Sequence, residues 1–567
     1  MAPLALLAAV LVAPTAATFN LSNTLGDGMV LQRAPRRAVV WGFGDSGAKI
    51  STRVAGQTAL NTTVGSDGVW RQALQPMAAS AAPTDITFTD GIVTITLHGV
   101  LFGDVYMCSG QSNMQYTPLS MAGMNNLTAE LAAADAYRGT IRFFTVGMET
   151  DCGQIDCSKP FSELAHGPSI RSNMSAPCRR GRSCRELWEP AGSSSLGRAA
   201  WDHFSAVCFL TARRIHDELG GEVPLGLISS NWGGTPVQSW EPNTGVLYNS
   251  MIAPFAVGPM ALTGVMWYQG EANVGAAGYY AKAFPAMITG WRQAFANPAL
   301  WFGFVQIAGF GYSRPSVRQQ CEQSHSWAAG DLRQAQLAAL ALPNVGFTTA
   351  IDTGDWSNIH PPDKQNPSLR LANQALVQVY HKTVAGADFP VYAGSSVAVS
   401  QRKITVRVAI RGSLSGKPIK ITSAAPLAAT QSSTLGKPGS VPRNMCVTML
   451  GYPRLPCDCG YPYIYGKFAN GTTRFLNATA AIDADGTSVV LTAATLGDPF
   501  EPTASSYGRA SWPMTLFFAE EGGNPVIPWY SNFSSADPWQ PPEPGVAVLV
   551  PAVEEANGHV ESPAVYI

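Results

Sequence analysis

The sequence predicts an α/β protein: a central domain on a parallel sheet, with a β domain on either side. Three observations lead there. Residues 19–100 run as short stretches of alternating apolar and polar side chains, such as RAVVWGFG, KISTRVAG and VTITLHGV, separated by the turn residues of GDSGA and GSDG; that is the pattern of an antiparallel β-sandwich. From residue 101 apolar strand-like runs alternate with helix-like stretches, as in a buried parallel sheet covered by helices. Beyond residue 388 the alternating pattern returns in SSVAVSQRKITVRVAI, KPIKITSA, SVVLTAA and MTLFFAEE.

At 567 residues the chain is too long for one core. It opens with MAPLALLAAVLVAPTAA, an apolar stretch ending in small residues. This has the form of a secretory signal peptide over 1–17, although Lys and Arg are missing from its start. It is too short to be a membrane anchor. An N-terminal β-sandwich is expected over 18–100, an α/β domain over 101–387, and a C-terminal β domain with a tail over 388–567. The polar stretch 150–196, with Cys152, Cys157, Cys178 and Cys184, breaks the α/β rhythm and reads as a disulfide-tied insertion. Cys446, Cys457 and Cys459 form a second such cluster, whereas Cys108 and Cys208 stand in apolar surroundings and read as buried free thiols. Seven Asn-x-Ser/Thr sequons, at Asn20, Asn61, Asn126, Asn173, Asn470, Asn477 and Asn532, also fit an exported chain. A net charge of −1 gives no electrostatic reason to bind nucleic acid or an anionic membrane.

Within 101–387 the strands expected are DVYMCS, TIRFFTV, LGLISS, TGVMWY, WFGFVQIA and VGFTTAID. The helices expected are WDHFSAVCFLTARRIHDELGG, closed by Gly220-Gly221, then DLRQAQLAALAL and SLRLANQALVQVYHK. Ligands in such sheets sit beyond the carboxyl ends of the strands. Four strand ends carry the residues of interest. Ser112 follows the first strand; alone it would read as a helix cap. Gly233 and Gly234 follow LGLISSN and would let backbone N–H groups approach a ligand. Gln269, Glu271 and Asn273 follow TGVMWY, and Asp352, Asp355 and His360 follow the last strand. A serine hydroxyl needs a base beside it to act as a nucleophile, and a developing oxyanion needs fixed donors. Together the four ends supply that set.

The stretches VLFGDVYMCSGQSNMQ, FSAVC, LGLISSNWGGTPVQSW, GVMWYQGEAN and IHPPDKQ resemble the sialate O-acetylesterase family of the SGNH hydrolase group, and DGMVLQRAPRRAVVWGFG resembles its N-terminal β domain. The resemblance covers most of 24–380. It implies a flavodoxin-like catalytic domain, Ser112 as nucleophile, His360 as base, and an oxyanion hole from Gly233 or Gly234, the Ser112 backbone and Gln269. The implied activity is removal of O-acetyl groups from sialic acids at the 9- and 4-positions, in a secreted or lysosomal setting. No metal or organic cofactor is implied. Where many SGNH hydrolases have an Asp three residues before the histidine, this chain has Ser357. The orienting group is then Asp352, preferred for its place at the strand end, or Asp355, a backbone carbonyl, or none. Arg292 and Arg370 are candidates to recognise a sialic acid carboxylate. Two other readings compete. One keeps the machinery and changes the substrate to another acetylated polysaccharide such as acetylxylan. The other is a non-catalytic carbohydrate-binding glycoprotein, with its 14 Trp as stacking surfaces.

Overall fold

The computed structural model describes residues 19–118, 127–147, 156–164, 188–196, 204–310, 312, 327–355, 358–400, 402–423, 462–495, 499–511 and 517–533. The signal-peptide stretch, the 446–459 cysteines, most of the 150–196 insertion and the tail after about 535 lie outside these residues.

The site is carried by six strands: β1 (Thr94–Gly110), β2 (Ile141–Thr145), β3 (Leu225–Asn231), β4 (Gly264–Tyr268), β5 (Trp301–Gln306) and β6 (Val345–Thr349). They lie in the order β2-β3-β1-β4-β5-β6, and every neighbouring pair is parallel. Without the edge strand β2, this is the 2-1-3-4-5 order of a flavodoxin-like sheet, in which the connection reverses direction beside the first strand. Strands β3 to β6 are buried along their whole lengths, as expected of a sheet covered on both faces.

Alternation along the strands divides the core. Tyr106, Cys108, Met266 and Tyr268 pack with the helices α2 (Ala206–Glu218) and α5 (Gln365–Gln378). Val105, Met107, Val265 and Trp267 face the opposite way, toward α3 (Ala277–Ala294) and α4 (Ala328–Gln336). Register then levels the carboxyl ends. Gly110 stands opposite both Asn231 and Tyr268, so the residues following β1, β3 and β4 emerge on one rim.

The N-terminal strands are less separate than the sequence implied. Strand β1 is 17 residues long and crosses the expected boundary at residue 100. Its first half pairs antiparallel with Ser80–Thr89, and its second half enters the parallel sheet. A three-stranded sheet of Asn20–Leu21, Val39–Phe43 and Val69–Ala73 accompanies it. Trp41 from this sheet packs so closely on Gly258 that a Cβ there would lie 2.0 Å from the indole, which excludes any larger residue. The C-terminal strands form further antiparallel sheets, among them Pro390–Val399, Lys403–Gly412, Thr479–Ile482 and Ser488–Ala494.

Two expectations are corrected. Cys108 and Cys208 are not free thiols but a disulfide, with Cα atoms 5.8 Å apart. Their apolar surroundings were read correctly, since both are fully buried; the sequence could not show that the first turn of α2 lies over β1. Cys157 is also disulfide-bonded. Five of the tryptophans, Trp41, Trp70, Trp240, Trp267 and Trp291, are among the largest fully buried side chains and so fill the core rather than form stacking surfaces. Among the described residues, no helix is long and apolar enough to cross a membrane.

Candidate active site

Gly110 ends β1 with φ +135°, and a Cβ there would lie 2.2 Å from the Tyr268 carbonyl oxygen. Only glycine fits so close a crossing. The chain then turns: Gln111 N–H donates to Tyr268 O, and the one-turn helix α1 (Ser112–Gln115) follows. The Gln111 side-chain carbonyl accepts from the N–H groups of Gly270 and Ala272, tying this turn to the one after β4. Ser112 is the first residue of α1, so its N–H is one of those that a helix leaves without an internal acceptor.

His360 comes from the loop between β6 and α5. Its Nε2 lies 2.8 Å from Ser112 Oγ, a hydrogen bond between residues 248 apart in sequence. Both side chains are buried. The loop is tied down on each side of the histidine. Asn113 Nδ2 donates to Ile359 O at 3.0 Å and to Glu271 Oε1 at 2.6 Å, and Lys364 Nζ donates to Pro361 O. His360 N–H donates to Asn358 Oδ1, closing the loop on itself. The Tyr116 ring, just past α1, stacks on the imidazole with centroids 6.2 Å apart and planes 23° apart.

The other residues singled out from the sequence have more varied fates. Asp352 does not touch the imidazole. Both its oxygens are held at 2.7 Å by the Arg370 guanidinium, in a buried bidentate pair. Arg370 is thereby spent as a carboxylate receptor, and Arg292 likewise, because its donors go to the carbonyls of Leu300, Pro343 and Asn344. Asp355 is buried; its Oδ1 accepts from Asn358 N–H and its charge reaches Tyr116. Gly233 packs against Ser112, where an added Cβ would lie 3.2 Å from that of the serine, but its N–H already donates to Gln115 Oε1. Gln269 is fully buried and its Nε2 donates to Thr235 O and Asn273 Oδ1, so it braces the Gly-Gly turn rather than facing the serine. Gly234, at φ +73°, keeps an N–H with no hydrogen-bond partner among the described residues.

Residues 207–376 match the family model described as carbohydrate esterase, sialic acid-specific acetylesterase. The chain is 30% identical over 443 residues to the sialate O-acetylesterase of Rattus norvegicus, an alignment spanning 64% of this chain and 74% of that protein. It is 30% identical over 407 residues to the sialate O-acetylesterase of Homo sapiens, spanning 64% and 71%. The chain belongs to the sialate O-acetylesterase family. Among solved structures, a carbohydrate acetylesterase from Xanthomonas citri superposes with a TM-score of 0.67 at 24% identity, over 91% of this chain and 99% of that one. That likeness establishes a shared fold.

In this family member, burial and one neighbouring cation act on the imidazole of the dyad. Burial, aided by the nearby Lys364 charge, lowers the His360 pKa to about 4. The imidazole is therefore neutral, the form able to accept a proton, across most of the pH range. Burial likewise pushes Lys364 down to about 7 and raises Glu271, the two charges opposing these shifts in each other. Sequence reasoning passed over Asn113, Tyr116 and Lys364. The signal for Lys364 was modest: a lysine four residues past the histidine, immediately before a helix.

Proposed function

We propose that this protein is a serine esterase that removes acetyl groups from O-acetylated sugars, with sialic acid acetylated at the 9- or 4-position as the preferred substrate. The observation that carries the chemistry is the 2.8 Å contact between Ser112 Oγ and His360 Nε2 at the rim of the sheet. Family membership supports the substrate class. The strand order and the serine's position beyond β1 support an SGNH-type catalytic domain.

In this reading Ser112 Oγ attacks the acetyl carbonyl while His360 takes its proton. The tetrahedral oxyanion accepts from the N–H groups of Ser112 and Gly234. Losing one such donor typically costs about 3 kcal/mol of transition-state stabilisation. The sugar hydroxyl leaves with the proton returned by His360. Water, deprotonated by the same imidazole, then hydrolyses acetyl-Ser112 to acetate and free serine. Gln269 and Gly233 hold the turn in place. With Asp352 occupied by Arg370, Asp355 is the acid assigned to the histidine side. The disulfides, and the exposed positions of Asn20, Asn61, Asn470, Asn477 and Asn532, support an exported, glycosylated protein in a secreted or lysosomal setting.

The test is acetate release from 9-O-acetyl and 4-O-acetyl sialic acid and from acetylated xylan, with wild type and Ser112→Ala. Wild type should act on the sialic acids, and Ser112→Ala should fold normally and release nothing above background. Turnover by Ser112→Ala would remove the nucleophile. Turnover of xylan alone would remove the substrate assignment.

A further inference from the structure

Lys364 is fully buried immediately before α5, and nothing in the esterase chemistry above uses it. Its Nζ sits 4.4 Å from the centroid of the Tyr116 ring. That ring stacks on the imidazole of His360. The same Nζ donates to the carbonyl of Pro361, next to the histidine. Tyr116 belongs to the serine's side of the site, since its N–H donates to Ser112 O. Lys364 belongs to the histidine's side. One ammonium therefore fastens together the two segments that must meet for the dyad to form. Opposite it, Asn113 fastens Ile359, so the carbonyls on both sides of His360 are held.

We propose that Lys364 is a positioning residue for the esterase reaction: by gripping Pro361 and the Tyr116 ring it holds the imidazole on Ser112 and keeps protons off it, so that the enzyme stays active in acidic solution. This rests on the Ser112–His360 reading. A cation over an aromatic face is attracted to the ring, and more strongly when water is excluded. The same cation repels a proton arriving at the imidazole beyond the ring. The titratable and charged groups around the cluster are Tyr116 after α1, Glu271 after β4, Asp355 and Asp363 of the histidine loop, and Arg333 of α4, which acts on Glu271. Glu271 and Asp363 favour the charged form of Lys364; burial opposes them.

The sign of the pH effect follows. The imidazole titrates near pH 4 while Lys364, titrating near 7, is still charged, so its repulsion is in force at the acid limb. Above about 7 the ammonium loses its proton and its hold on the ring weakens.

The test is the pH dependence of kcat and KM for 4-nitrophenyl acetate with the full chain, activity being re-measured after return to neutral pH. Wild type should show a bell with limbs near 4 and near 7. Lys364→Met should lower kcat about ten-fold or more, leave KM within about two-fold, and move the acid limb upward, though short of the ordinary histidine value of about 6.5 because burial still acts on the imidazole. A merely structural lysine would change amplitude or thermal stability and leave the acid limb in place; that result overturns the proposal. Lys364→Arg keeps its charge at all working pH values, so it should retain the acid limb and move the alkaline limb upward. Should the Met variant fail to fold, an alkaline limb unmoved in the Arg variant overturns the proposal. Ser112→Ala run alongside separates the failures: turnover there sinks the esterase reading itself, whereas a dead Ser112→Ala with unmoved Lys364 limbs sinks only the positioning role.

Discussion

Asp352 and Asp355 stand three positions apart on one loop, yet their surroundings assign them different work. Asp352 is locked in a buried bidentate pair with Arg370, and removing one partner of such a pair typically costs about 3–5 kcal/mol. Asp352→Asn should therefore lower the urea unfolding midpoint markedly while molecules that remain folded still react with a fluorophosphonate serine probe. Asp355→Asn should do the reverse, cutting kcat by at least about ten-fold with a small change in midpoint, since an amide oxygen can still accept from Asn358 N–H. Equal loss of activity in both, with equal loss of stability, would contradict the assignment. That Ser112 and His360 meet was legible in the sequence, because both follow strands whose carboxyl ends share an edge. That Asp352 is taken by Arg370 was not legible. It depends on Arg370, 18 residues beyond Asp352, which α5 brings back over the end of β6. For the same reason Gln269 looked like an oxyanion donor: its position at a strand end is visible in the sequence, but its engagement with Thr235 and Asn273 is not.

At the scale of elements, periodicity and apolar runs carried most of the information. Each strand expected in the central sheet is present, and all but β1 begin within a residue of their sequence runs; β1 begins ten residues before DVYMCS, at Thr94. Helix α3 was missed, although Phe284, Met287, Ile288 and Trp291 recur on one face and are buried. Gly278, Pro285 and Gly290 disguised it. A proline inside a helix removes one backbone hydrogen bond and usually marks a break; here the helix runs through Pro285, and Thr289 Oγ1 donates to the Pro285 carbonyl. The disulfide also belongs to this scale. It ties the end of β1, four residues before Ser112, to the first turn of α2 across a sequence separation of 100. By loop-closure entropy, such a link stabilises by about 4–5 kcal/mol. The double substitution Cys108→Ala, Cys208→Ala should lower the unfolding free energy by an amount of that order, measured by urea denaturation under non-reducing conditions. A loss under about 1 kcal/mol would mean that packing of α2 on the sheet, not the covalent link, holds the two together.

Across the whole molecule, a buried cation is one of the links that join the C-terminal strands to the central sheet. Arg333, fully buried on α4, donates to Ile307 O and Ala308 O at the end of β5 and to Ala510 O and Ser511 O of the C-terminal region. Beside it, α4 presses so close that a Cβ on Gly330 would lie 1.6 Å from Arg509 O. Arg509 in turn pairs with Asp331 and lies over the rings of Trp327 and Tyr530. A fork of guanidinium donors can serve carbonyls on both sides of a junction at once, which an apolar side chain cannot do. Leaving a buried carbonyl unpaired costs about 1–3 kcal/mol. Arg333→Leu should therefore destabilise the protein by at least about 3 kcal/mol, and calorimetry should show the C-terminal strands melting at a lower temperature than in the wild type, ahead of the central sheet. The same helix feeds the rim of the site: Gln336, one turn after Arg333, donates to the Gln269 carbonyl. Loss of the junction should thus reach the turn after β4, and activity should fall at temperatures below the main transition. If the C-terminal strands of Arg333→Leu melt at the wild-type temperature, the C-terminal region is held by its other contacts, and the coupling between it and the catalytic rim does not run through this side chain.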